Sequence, residues 1–113
     1  MYNKTYYTYI MSNRTRTVLY VGITGNLQQR YIQHLSGVND GFTKRYKCHD
    51  LIYVEHHDSA MDAIVREKQI KRLSRKNKMR LIEKMNPSYK NLAEEWKQEY
   101  KTYVEHESKD DVS

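Results

Sequence analysis

Glu67 breaks an apolar stripe. Ala60, Ala63, Ile64, Ile70 and Leu73 recur at helical spacing, and Glu67 falls on their face, three residues after Ile64 and three before Ile70. A carboxylate there needs a metal, a cation or a proton to offset its desolvation. Periodicity leaves two readings open: a ligand for such a partner, or an edge residue paired with Lys71 one turn on. Arg30 and His34 stand four apart beside a Leu27–Tyr31–Leu35 stripe, presenting a permanent cation and a titratable imidazole along one line. A guanidinium so placed can stabilise charge developing on a phosphodiester. The plainer alternative is an exposed arginine beside a boundary histidine. Gly22 lies inside a β-rich run, where glycine often marks close approach by another backbone or a ligand.

These residues need elements to position them. Thr5–Ser12 alternates as a strand, with Tyr7, Tyr9 and Met11 on one side and Tyr6, Thr8 and Ile10 on the other. Asn13–Arg16 is a polar turn and Thr17–Ile23 a second β-rich run, so the two are expected to form an antiparallel hairpin. Thr24-Gly25-Asn26 supplies capping chemistry for a helix over Leu27–Ser36 that closes at Gly37. A polar loop over Ser36–Thr43 and a third strand over Asp50–Glu55 come next. Asp58 or Ser59 caps a helix to about Leu73, and Ser74 caps another that stops at Asn86-Pro87. Asn91–Tyr103 reads as a final helix. The order gives an α+β domain, a small three-stranded antiparallel sheet flanked by helices. Residues 1–103 are expected to form one domain, with 104–113 as an acidic, disordered tail.

Length and composition agree with one small core, since 113 residues is one domain at the usual ~100–200. Eleven of the thirteen aromatics are tyrosine, rings that pack yet carry a hydroxyl needing a partner. No apolar run approaches the ~20 residues of a membrane span. Met1–Lys4 lacks a signal peptide's apolar stretch, and Cys48 is the only cysteine, so a cytoplasmic location is expected. The pairs Cys48-His49 and His56-His57 match no common zinc spacing. Trp96, Tyr100 and Tyr103 recur at i, i+4 and i+7, which favours packing on the body over base stacking. Charge is uneven: up to residue 103 there are 19 basic and 10 acidic side chains. Eight basic residues fall within 66–80, with Glu67 their only acid. Such density attracts phosphate polymers, although a solvated helix face is the bland alternative.

Tyr7-Thr8-Tyr9, then Tyr20-Val21-Gly22, then Arg30, His34 and the phrase Arg66-Glu67-Lys68-Gln69-Ile70-Lys71 together resemble the GIY-YIG nuclease family, over about Tyr6 to Leu92. The chain looks most like the small stand-alone bacterial members. Tyr7-Thr8-Tyr9 replaces Gly-Ile-Tyr and loses its glycine; Tyr20-Val21-Gly22 replaces Tyr-Ile-Gly with a trivial change in volume. The resemblance implies that Tyr9 lies near the attacking water and helps deprotonate it, and that Tyr20 hydrogen-bonds water or the scissile phosphate. It implies that Arg30 contacts the phosphate, with His34 as its polar partner one turn later. Glu67 would be the lone acidic ligand of a single divalent ion, Mg2+ or Mn2+. Tyr7 and Gly22 would support the site. An asparagine near the domain's end would join it, with Asn86 first and Asn91 and Asn77 behind.

The expectation is therefore a metal-dependent endonuclease or nickase acting on DNA, branched or damaged DNA included, with RNA an open alternative. Lys44, Arg45, Arg66, Lys68, Lys71, Arg72, Arg75, Lys76 and Lys78 would hold the phosphate backbone without reading sequence. The alternative is a nucleic-acid-binding module with weak or no catalysis, using the basic face 66–80.

Overall fold

A computed structural model describes residues 4–37 and 41–110 of the chain. In chain order the elements are β1 (Tyr6–Ser12), β2 (Leu19–Thr24), α1 (Leu27–Ser36), α2 (Gly41–Tyr46), β3 (Asp50–His57), α3 (Ala60–Arg72), α4 (Arg75–Met85) and α5 (Glu94–Asp110). The three strands form one antiparallel sheet in the order β2-β1-β3, with Tyr9 opposite Gly22 on one side and Val54 on the other. The α+β expectation holds. No helix among the described residues is long and apolar enough to cross a membrane.

Period-two alternation along β1 gives the sheet two apolar faces. Tyr9 and Met11 pack with Tyr31, Cys48, Leu51 and Ala93 beneath α1 and α5. Ile10 and Val21 pack on the opposite face with Ile52, Tyr53, Ile70 and Ile82, beneath α3 and α4. Side-chain caps fix three helix starts: Asn26 accepts from the Gln29 N–H, Ser59 from Asp62 and Ser74 from Asn77. Gly37 closes α1 in the left-handed region, at φ 71.

Several boundaries differ from expectation for local reasons. Strand β2 starts at Leu19 because the Asn13 carboxamide oxygen takes the N–H groups of Thr17 and Val18, both at 3.0 Å. The stretch read as a loop up to Thr43 instead holds the start of helix α2 at Gly41; residues 38–40 of that loop lie outside the described residues. Helix α5 begins at Glu94 because the Asn91 side chain accepts from the N–H groups of Leu51 (2.9 Å) and Ala93 (3.1 Å). It then continues to Asp110, where a disordered tail was expected, since no glycine or proline interrupts 94–110. Residues 111–113 of that tail lie outside the described residues. Trp96 packs against Tyr31, but Tyr103 is 61% exposed, so the expected packing stripe of α5 ends before it.

Asn86 is buried and wholly used by the backbone. Its amide nitrogen donates to the carbonyls of Ile52 (3.0 Å) and Lys90 (2.8 Å), and its oxygen accepts from the Lys90 N–H (3.0 Å). It ties the end of α4 to β3. At the start of β3, Asp50 accepts from Arg16 (2.6 Å) and Lys97 (3.2 Å), joining the hairpin turn to α5. Burial alone would raise the Asp50 carboxyl, but the hydrogen bonds and charges of Arg16 and Lys97 outweigh it and hold it below the usual carboxylate value of 3.8.

Two outcomes follow for stability. Asn86→Ala leaves the buried Ile52 carbonyl without this partner and should cost about 1–3 kcal/mol in urea unfolding. A carboxyl depressed by folding stabilises the protein above its unfolded value, and that gain is lost as pH falls through the folded value. Wild type should therefore lose stability steeply below about pH 4, and Asp50→Asn, followed by melting temperature against pH, should flatten that acid limb.

Candidate active site

Helix α1 and the centre of the sheet bring four of the expected residues together. Tyr9 extends from the central strand and is 1% exposed; His34, in the last turn of α1, is also 1% exposed. The Tyr9 hydroxyl lies 2.8 Å from His34 Nε2, and Arg30 Nε donates to the same oxygen at 3.3 Å. His34 Nδ1 lies 3.1 Å from Thr43 Oγ1 on α2. A guanidinium can only donate, so the Tyr9 oxygen accepts from Arg30. The Tyr9 hydroxyl and His34 Nε2 share one hydrogen, as do His34 Nδ1 and Thr43 Oγ1; in the tautomer with the hydrogen on Nδ1, the phenol donates to Nε2 and the imidazole to Thr43. His34 is thus a buried link between strand and helix rather than a boundary residue.

Tyr20 reaches the cluster from β2. Its ring centroid is 5.2 Å from that of His34, edge-on, and 6.4 Å from that of Tyr9. Burial alone would lower the Arg30 pKa, but hydrogen bonds and charge interactions with Tyr9 and Tyr20 reverse this and raise it above its usual value. The guanidinium also donates to Gln33 Oε1, one turn on, at 3.2 Å.

Gly22 explains how the Tyr9 phenol fits. A Cβ on Gly22 would lie 2.6 Å from the Tyr9 oxygen, 2.7 Å from its Cζ and 3.0 Å from Tyr20 Cε1. The close approach marked by this glycine is made by a tyrosine ring from the paired strand.

Other expected residues stand elsewhere. Tyr7 shares a face with Tyr9 but lines an open groove with Lys4, Gly25, Asn26 and Trp96. Asn86 belongs to the tie between α4 and β3, and Asn91 to the start of α5. Glu67 sits on α3, the helix over the opposite face of the sheet, and its carboxylate is 2.6 Å from Lys71 Nζ with the side chain 17% exposed. The i, i+4 pairing weighed from the sequence is the one observed. Among the described residues no group of three or more His, Cys, Asp or Glu is placed to hold a metal. Glu67 offers a single carboxylate, so a divalent ion held there would have to displace Lys71 and take its remaining ligands from water.

The basic residues divide. Arg66 donates to both oxygens of Glu55, at 2.9 and 3.1 Å, and Glu55 also accepts from Tyr53 at 2.5 Å. Arg75 donates to the backbone carbonyls of Arg16 and Thr17, pinning the hairpin turn. Lys78 reaches the Lys71 carbonyl at 3.3 Å. Lys68, Arg72 and Lys76 are exposed on α3 and α4, and Lys44 and Arg45 on α2. Sequence reasoning did not single out Thr43. Its only advance signal was a polar side chain in a stretch with no marked periodicity.

The GIY-YIG catalytic domain family matches residues 5–80. A UPF0213 protein of Natronomonas pharaonis is 36% identical over 77 residues, covering 68% of this chain and 89% of the relative. A UPF0213 protein of Syntrophus aciditrophicus is 39% identical over 82 residues, covering 72% and 92%. The solution NMR structure of the UPF0213 protein from Bacillus halodurans is similar with a TM-score of 0.51 and 26% identity, over 77% of this chain and 92% of that one.

Gly22→Ala tests the seat of the phenol. The added methyl should push the Tyr9 ring off the glycine, and NMR should then show the contact between the Tyr9 ring and His34 weakened while the sheet's amide pattern persists. An unchanged Tyr9 environment would mean that the glycine is dispensable.

Proposed function

We propose that this chain, which belongs to the GIY-YIG catalytic domain family, is an endonuclease that hydrolyses phosphodiester bonds of DNA at the Tyr9, Tyr20, Arg30 and His34 cluster, with Glu67 as ligand of a divalent ion. The observation that carries it is the line from Arg30 Nε through the Tyr9 oxygen to His34 Nε2, at 3.3 and 2.8 Å.

In this reading a water oxygen attacks phosphorus while the bond to the leaving sugar oxygen breaks. The water's proton passes to the Tyr9 oxygen as the phenol proton moves to His34 Nε2. Phenols near pKa ~10 are weak bases at neutral pH, and an adjacent cation favours their ionised form. Arg30 serves there and also offers donors to the phosphoryl oxygens, whose charge grows in the transition state. Thr43 holds the imidazole in the orientation that can take the proton. Tyr20, on the edge strand, presents its hydroxyl to water or phosphate. Glu67, on the helix that packs against β1 and β2, would hold the ion, which would offset the negative charge of the phosphate. Exposed Lys68, Arg72 and Lys76 attract the backbone without reading bases.

The Lys71 contact on Glu67 favours a second reading, a nucleic-acid-binding module whose carboxylate keeps its lysine and holds no metal. Supercoiled plasmid incubated with Mg2+ or Mn2+ separates the two. The nuclease nicks it, chelator abolishes the nicking, Arg30→Ala lowers the rate about 100-fold or more, and Glu67→Ala brings it to background. Strongly salt-dependent binding without cleavage of duplex, branched or single-stranded substrates would establish the module instead.

A further inference from the structure

Helix α2 presents a pattern that a purely supporting helix does not need. Thr43 points inward, fully buried against His34, while Phe42 and Tyr46, four residues apart, are 42% and 41% exposed. Phe42 is the chain's only phenylalanine, and leaving so large an apolar ring in water forfeits burial energy that a core position would supply. The two rings lie 4.8 Å apart between centroids. Phe42 is also 5.7 Å from Tyr20, which is 6.4 Å from Tyr9, so an unbroken run of rings leads from the buried phenol to the surface. A cation adjoins its outer end. Arg45 lies 5.5 Å from the Tyr46 ring centroid, and Lys44 and Lys47, next to it along the chain, are exposed.

We infer that Phe42 and Tyr46 form a stacking platform for an unpaired nucleobase, so that the site takes nucleic acid that is single-stranded or locally unpaired beside the scissile phosphate. This rests on the nuclease reading above and names its substrate class. Aromatic faces stack any base, and neighbouring cations take the phosphates; that combination marks single-strand binding. The inner faces of bases are closed to such rings while the duplex is stacked. Continuity with Tyr20 decides where the base goes: a nucleotide stacked on Phe42 has its phosphate beside the ring that adjoins the Tyr9, Arg30 and His34 cluster. An apolar patch for a protein partner would not call for a guanidinium set over one of its rings.

The test is binding without metal, in chelator, to short oligonucleotides carrying 2-aminopurine, whose emission reports stacking. Wild type should change the emission of the single strand and of a duplex with an unpaired bulge, and should leave a perfect duplex little changed. Phe42→Ala with Tyr46→Ala should weaken single-strand affinity about five- to hundredfold, as losing base stacking does, with duplex affinity altered less than about twofold. Phe42→Trp should retain binding. Phe42→Leu keeps apolar bulk without an aromatic plane and should behave like the alanine variant, which separates stacking from folding; melting curves confirm that each variant folds. Equal losses on single strand and duplex, or none on either, overturn the platform, as does a wild type whose binding leaves 2-aminopurine emission unchanged. Plasmid nicking reads the nuclease assignment separately: binding that depends on Phe42 without cleavage sinks that assignment alone, and cleavage that ignores Phe42 sinks the platform alone.

Discussion

The Tyr9 hydroxyl is buried on the central strand of the sheet, and a buried hydroxyl left without partners costs about 1–3 kcal/mol. Meeting that requirement organises the neighbourhood. His34 has to come from the C-terminal turn of α1 with its ring turned inward, and Arg30 then falls one turn earlier on the same side. The second imidazole nitrogen needs its own partner, which draws in Thr43 and with it α2. On the paired strand only glycine leaves room for the phenol. A strand, an edge strand and two helices are thereby fixed around one oxygen. Because these contacts lie within the chain, the cluster is organised in the folded protein itself.

Much of this was readable because it depends on short-range rules. Alternation in Tyr6–Ser12, side-chain caps at Asn26, Ser59 and Ser74, and the stop before Pro87 are local signals, and the elements follow them. Gly22 announced a close approach but not what would approach, since pairing with Tyr9 is set by strand register. The rest lay in long-range satisfaction of polar groups. Whether Arg66 faces phosphate or Glu55 depends on which side of α3 meets β3. Whether Asn86 serves chemistry or the backbone depends on Ile52, 34 residues away. Helix α2 was missed because six residues are too few for periodicity to show.

The tyrosines show the same division in one residue type. Tyr31 gives its proton to the His49 carbonyl and accepts from Asn91; burial pushes its phenol up to about 12, against the lowering effect of Asn91. Tyr53 donates to Glu55 and is likewise raised to about 12, by burial first and then by that carboxylate, with Arg66 opposing. Both phenols are held in the neutral form and act as struts. What sets Tyr9 apart is its neighbours: a guanidinium and an imidazole replace the carbonyl and the carboxylate. A phenol's role here is written in the charge of whatever it touches.

The side-chain ties from Asn86 and Asn91 to β3 bear on where this protein ends as a physical unit. Similarity to the catalytic family stops at residue 80, yet Ile82, Asn86 and Ala93 are buried beyond it. A chain cut at that boundary would keep every residue of the phenol cluster, while stripping the carbonyl of Ile52 and the N–H of Leu51 of their partners on the strand that braces Tyr9. The stretch that carries the resemblance and the stretch that can stand alone are different lengths, and the second is the longer.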